Sequence, residues 1–349
     1  LIRIALLLAA LCGLPFAAQA GLLPRAPAPF QPVHYGPDAL SATEAAHVLR
    51  CGVITSAEDY SPASTHGDLS GFGADLCRAI AAALLGSPNA LTLTGYPDDA
   101  HGLRALHERG VDLLFGVTPD ANSALPYDVM FGPTALFDSQ GFLVARKSGI
   151  TDPAQLAHKL LCFITGTSQE ARMDDWGAAR GVKFWAHDFQ ERGEMDTALE
   201  TGNCAAITDD VSALAQMRAG LSRPSREFAI LPKMIAIDAW APAVRAGDVR
   251  LNAVVTDVLA ALIQGEALGI TAATAMQPHA GAAVLMNPTP GIAATLGMPD
   301  GWARRAIAAR GNYGEMFERD LGRESPYLLE RGPDALWTQG GMLAAPTVR

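Results

Sequence analysis

Short apolar runs alternate along this chain with longer stretches in which apolar residues recur every three or four positions. Residues 49–55 form the first run, and 74–85 follow as a helix with Leu76, Ile80 and Leu84 on one face and Gly86 as its stop. Residues 90–94 read as a second strand, 100–109 as a helix closed by Gly110, and 111–115 as a third strand. After a strand at 140–145 the alternation restarts. It runs strand 159–164, helix 169–180, strand 183–186, helix 191–200, strand 205–208, helix 211–219 and strand 228–231. Strands alternating with helices predict an α/β fold whose mostly parallel sheets are covered on both sides. The pattern gives two such units, joined near 143–148. Open α/β sheets take ligands beyond the carboxyl ends of their strands. Those ends fall after Thr55, Phe115, Ile164 and Thr208.

The flanks read differently. Arg3, the apolar run 4–16 and Ala18-Gln19-Ala20 have the layout of a cleaved secretory signal peptide over residues 1–20. Residues 21–40 carry Pro24, Pro27, Pro29, Pro32 and Pro37 and predict an extended lead. Ser41-Ala42-Thr43-Glu44 offers a helix start. Past Ile237 a long helix is expected from Asp248, as its cap, to about Gln264. A stretch that short is expected to return and complete the first unit. Residues 280–349 carry Trp302, Tyr313, Phe317, Tyr327 and Trp337, too many large aromatics for a disordered tail. They predict helices and turns packed on the body.

A net charge of −10 with only 26 Lys and Arg argues against nucleic-acid binding. Of the five cysteines, Cys12 falls in the leader, leaving Cys51, Cys77, Cys162 and Cys204. An even number in an exported chain suggests disulfides. Of the three possible pairings, Cys51–Cys77 and Cys162–Cys204 keep each bond within one half of the chain; four free buried thiols are the alternative. No metal site is expected, because close Cys/His spacing is missing. The phosphate-binding G-x-x-x-x-G-K-[ST] loop, H-E-x-x-H and G-x-S-x-G are absent as well. Gly71-Phe72-Gly73 lacks the third glycine of a dinucleotide fingerprint, so no cofactor is expected.

Several segments resemble the general L-amino-acid-binding proteins of polar amino-acid ABC importers, solute-binding protein family 3. They include Cys51-Gly52-Val53, Gly71-Phe72 with Asp75, Gln140-Gly141-Phe142, Gly166-Thr167-Ser168 and Thr208-Asp209-Asp210. The most specific is Gly311-Asn312-Tyr313-Gly314-Glu315-Met316-Phe317-Glu318-Arg319, which is similar to the family signature G-N-Y-G-E-x-F-E-R. The similarity extends over about residues 41–349. It implies a type II clamshell of two α/β lobes joined by two hinge strands, with a C-terminal helical extension. In that layout 41–145 and 238–285 make the first lobe, 146–237 the second and 286–349 the extension. It also implies cysteines paired at the four positions named, a periplasmic monomer, a small-molecule ligand held between the lobes, and ABC permease subunits as partners.

The resemblance suggests ligand contacts at Tyr60, Gly116, Val117, Thr118, Thr167, Ser168 and Asp210. Tyr60 would cover the ligand side chain; Gly116, Val117 and Thr118 would offer backbone groups and a hydroxyl. Thr167 and Ser168 precede a helix and suit an anion, and Asp210 would take the ammonium. Several positions depart from the pattern, among them Leu125, where the family has an acid, and Asp209, where it has threonine. Gly73 replaces an acid, and Ala124 stands where the family has the arginine that grips the ligand carboxylate. Losing one partner of a desolvated charge pair costs about 2–5 kcal/mol, and ~4 kcal/mol is a thousandfold in dissociation constant. The expected ligand is therefore an amino acid or an amine-bearing relative, including one without an α-carboxylate. No covalent chemistry is expected. The alternatives are an accessory protein that keeps the fold without carrying an amino acid, and a dehydratase-like enzyme on the same fold.

Overall fold

The computed structural model describes residues 38–54, 69–165, 169–278, 285 and 296–345. The chain begins with α1 (Ala39–Ala46), β1 (Leu49–Ile54), α2 (Phe72–Leu85), β2 (Leu91–Tyr96), α3 (Asp99–His107) and β3 (Leu113–Val117). β1 pairs in parallel with both β2 and β3, as the alternation predicts. A short helix, α4 (Ala121–Tyr127), leads to β4 (Val129–Phe131) and to the ten-residue β5 (Leu136–Ala145). The second alternating unit then runs β6 (Leu160–Ile164), α5 (Gln169–Ala178), β7 (Trp185–Phe189), α6 (Arg192–Thr201), β8 (Ala206–Asp210), α7 (Val211–Gly220) and β9 (Phe228–Ile230). β6 pairs in parallel with β7 and β8.

The two parallel groups meet through a pair of long antiparallel strands, β5 and β10 (Ala236–Arg245). Ala236–Trp240 of β10 pairs with β5, while its later residues pair with β3 and β4. The far half of β5 pairs with β8 and β9. The strand order is β2-β1-β3-β10-β5-β8-β6-β7, and every contact between the two groups in the sheet passes through β5 and β10. The fold is the bilobal α/β clamshell.

Sequence patterning missed β10 because Pro242 interrupts it. The proline sits at a register shift between Ala241 and Ala243, where no ladder N–H is needed. Other boundaries move for local reasons. The first helix is capped by Asp38, whose carboxylate accepts the Ser41 N–H, rather than starting at Ser41. Asp248 precedes α8 (Val249–Ala267) but does not cap it with its side chain. Its carboxylate accepts the Ala39 N–H at 2.8 Å and pairs with Arg245 at 2.8 Å, so it ties the first helix to the end of β10.

The tail forms α9 (Trp302–Arg310) and α10 (Tyr313–Asp320), which pack with α2 and α8 into the largest core cluster. Its motif residues have structural jobs. Gly311 ends α9 at φ +92°, a conformation that L side chains rarely adopt. Asn312 and Glu315 form a reciprocal capping box on α10. Tyr313 is fully buried and donates its hydroxyl to the Ala135 carbonyl at 2.9 Å. Arg319 and Arg310 both reach the buried carboxylate of Asp75 on α2, which Arg78 also pairs at 3.0 Å. Gly73 is explained by packing as well: a side chain there would overlap the Phe115 ring.

The paired cysteines lie one bond to each half. Cys51–Cys77 joins β1 to α2 with its Cα atoms 6.3 Å apart, and Cys162–Cys204 joins β6 to the turn before β8 at 6.0 Å. Among the described residues no helix is long and apolar enough to cross a membrane, and no cluster of potential metal ligands occurs.

Candidate functional site

Strand pairing sets one group of polar side chains on a common face. Directly opposed residues of an antiparallel pair point the same way, as do residues two apart on one strand. Asp138 opposes Asp238, and Gln140 opposes Asp210. Asp138 and Gln140 are two apart on β5, and Thr208 and Asp210 are two apart on β8. Asp138, Gln140, Thr208, Asp210 and Asp238 therefore share the face of the sheet where the two lobes join.

Several of these groups are satisfied by one another, although the buried Oε1 of Gln140 meets no donor among the described residues. Gln140 donates Nε2–H to the Thr208 hydroxyl and to the Gln169 carbonyl, each at 2.9 Å. Thr208 donates to the Gly141 carbonyl at 2.9 Å. Asp138 accepts the Ser212 hydroxyl at 2.6 Å and the Ser139 N–H at 2.8 Å. Asp238 is held by both terminal nitrogens of Arg172, with Nη2 to Oδ1 at 2.9 Å.

The adjacent acids Asp209 and Asp210 divide as a strand requires. Asp209 is buried, accepts Gln169 Nε2–H at 3.0 Å and lies 3.4 Å from Arg192. Asp210 is different. Its Oδ1 is closed off from solvent and has no hydrogen-bond donor among the described residues. A buried acceptor without a donor is costly in a folded protein. Burial, and then the nearby carboxylates of Asp138, Asp209 and Asp238, push the Asp210 carboxyl up to about 8, with Arg172 opposing the shift. Burial also raises Asp209, against the charge of Arg192. The group as a whole holds more carboxylate than guanidinium, so it favours an added cation.

The other sequence candidates fall in different settings. Gly116 and Val117 lie inside β3 and not beyond its end, because that strand runs 113–117 rather than 111–115. Val117 is wholly buried and opposes Ala241 of β10. Thr118 follows the strand and is partly exposed. Ala124, at the place of the expected arginine, sits in α4, capped by the Asp120 carboxylate on the Ser123 N–H. Tyr60, Thr167 and Ser168 lie outside the described residues. Sequence reasoning missed Asp138, Arg172 and Asp238. The only signal for Asp138 was its two-residue spacing from Gln140, just ahead of an apolar run. For Asp238 there was none, since β10 itself was not recognised.

Comparison with known proteins bears on this geometry. The chain is 32% identical over 326 residues to the general L-amino acid-binding periplasmic protein AapJ of Rhizobium johnstonii, covering 89% of this chain and 92% of that one. This chain belongs to the periplasmic amino-acid-binding proteins of ABC transporters. The glutamate/glutamine/aspartate/asparagine-binding protein BztA of Rhodobacter capsulatus is 30% identical over 314 residues, covering 86% of this chain and 90% of that one. A periplasmic binding protein from Brucella ovis, solved with glutathione bound, superposes with a TM-score of 0.77 at 31% identity, over 90% of this chain and all of that one. No family model matches the chain.

Proposed function

We propose that this chain captures an amino acid, or a related amine-bearing small molecule, between its two lobes and delivers it to an ABC permease. The observation that carries this reading is the donorless, buried Oδ1 of Asp210 at the carboxyl end of β8. A ligand ammonium supplies the missing donors, and its charge meets a group rich in carboxylates. Tyr60, Gly116, Val117, Thr118, Thr167 and Ser168 are proposed as the remaining contacts. Thr118 follows the end of β3, and Thr167 and Ser168 precede α5.

Closure would be a rotation about β5 and β10, with lobe limits near 145/146 and 237/238. Ligand shifts the population toward the closed form that the permease engages. The capture step needs no bond making or breaking, so the chain acts as a binder rather than an enzyme. Residues 1–20 act as the export signal, and the exported form works as a monomer in the periplasm. A thermal-shift screen of amino acids, simple amines and glutathione tests the reading. An amine-bearing compound that raises the melting temperature without being consumed supports it. Turnover, or no shift with any compound, overturns it.

A further inference from the structure

Arg172 lies in the first turn of α5, three residues after Gln169 and so on the same side of that helix. Gln169 fixes that side against the polar face, through its side chain to Asp209 and its carbonyl to Gln140. Arg172 extends from there to Asp238 on β10, and its charge acts on Asp210. The side chains of Arg172 and Asp238 are 30% and 18% exposed, so the pair is neither sealed in the core nor free in water. Asp238 engages Nη1 and Nη2 only. The Nε–H makes no hydrogen bond among the described residues, which leaves the lateral edge of the guanidinium unused. That edge offers two parallel N–H groups, the geometry that matches a carboxylate.

We propose that Arg172 is the carboxylate anchor of this binding protein, replacing from the second lobe the arginine that the first lobe lacks at Ala124. The inference rests on the Asp210 reading, because it places the ligand ammonium at Asp210 and the carboxylate at Arg172, which reaches the same polar face through Asp238. Asp238 then orients the guanidinium by its far edge, as a positioning residue. Both charges of an α-amino acid are gripped by one lobe and the hinge, and the first lobe is left to close over the side chain. The ligand class narrows to compounds with a free carboxylate near an ammonium.

The test pairs a protein change with a ligand change. Wild type, Arg172→Ala and Arg172→Lys are titrated with the tightest-binding amino acid and with its α-carboxamide, which keeps the ammonium and loses the carboxylate charge. Arg172→Ala is expected to weaken the amino acid about a hundredfold and the amide less than threefold, with Arg172→Lys in between. A bracing role for Arg172 would weaken both ligands equally. Equal weakening, or no weakening of the amino acid, overturns the proposal. If Arg172→Ala does not fold, Arg172→Ala with Asp238→Asn strands no carboxylate and carries the same comparison. Should amino acid and amide bind wild type equally through Asp210, the carboxylate anchor falls and the amine-binding reading stands. Should neither these nor any other amine-bearing compound bind wild type, both fall.

Discussion

Asp210→Asn should move binding and stability in opposite directions. The carboxyl of Asp210 is pushed to about 8 from an ordinary value of 3.8, chiefly by burial. An ammonium needs the ionised form. With an apparent pKa near 8, only about one molecule in ten is ionised at pH 7, and ligand affinity should rise close to tenfold between pH 6 and 7. Most of a proton is released on binding at pH 7, so calorimetric enthalpies should differ between buffers of different ionisation heat. The Asn variant loses the charge, about 3 kcal/mol or on the order of a hundredfold in affinity.

The stability effect has the other sign. The folded state holds this proton up to about pH 8, whereas the unfolded chain loses it near 4. The contribution of Asp210 to folding is therefore fully present below about pH 4 and is lost as pH rises toward 8. The full shift sets a ceiling of about 5–6 kcal/mol. Because the residue is partly exposed and shares its protons with neighbouring acids, about 1–3 kcal/mol is the expected gain for Asn at pH 8. Denaturant unfolding without ligand, at pH 5 and pH 8, reads this directly. Unchanged affinity in the Asn variant, or a flat pH profile from 6 to 8 with no proton release, refutes the role given to Asp210.

Two further expectations concern the frame. Chain-entropy arithmetic for loops of 26 and 42 residues gives about 3.5–4 kcal/mol for each disulfide, so serine pairs at Cys51/Cys77 or Cys162/Cys204 should each lower the denaturant midpoint of their own half. Asp75→Asn, which leaves Arg78, Arg310 and Arg319 facing each other without their shared carboxylate, should cost about 3 kcal/mol. Limited proteolysis should then release the C-terminal extension before the second lobe is cut.

Much of the frame was legible in the sequence because local rules governed it. α2 has a helical period and a glycine stop, and β1 and β6 are short buried runs whose cysteines lie one pair to each half. The hinge was legible only by resemblance, since Asp238 and Pro242 interrupt the strand pattern in β10. Site residues divide in the same way. The candidate Asp210, and Ala124 at the place of the expected arginine, could be read from motifs. The opposition of Asp138 and Asp238 is a register between strands 100 residues apart, and no spacing rule predicts it. The G-N-Y-G-E-x-F-E-R signature showed the reverse. Its residues were the easiest to find, yet they cap, pack and pin the extension and take no part in the polar face.

Every role proposed for the polar face requires an amine-bearing solute at Asp210. Isothermal titration of the protein with the twenty L-amino acids, their decarboxylated amines and glutathione is the deciding experiment. Saturable one-to-one binding of at least one compound, weakened about a hundredfold by Asp210→Asn, is the predicted result. No saturable heat with any amine-bearing compound, or binding indifferent to that substitution, would contradict it.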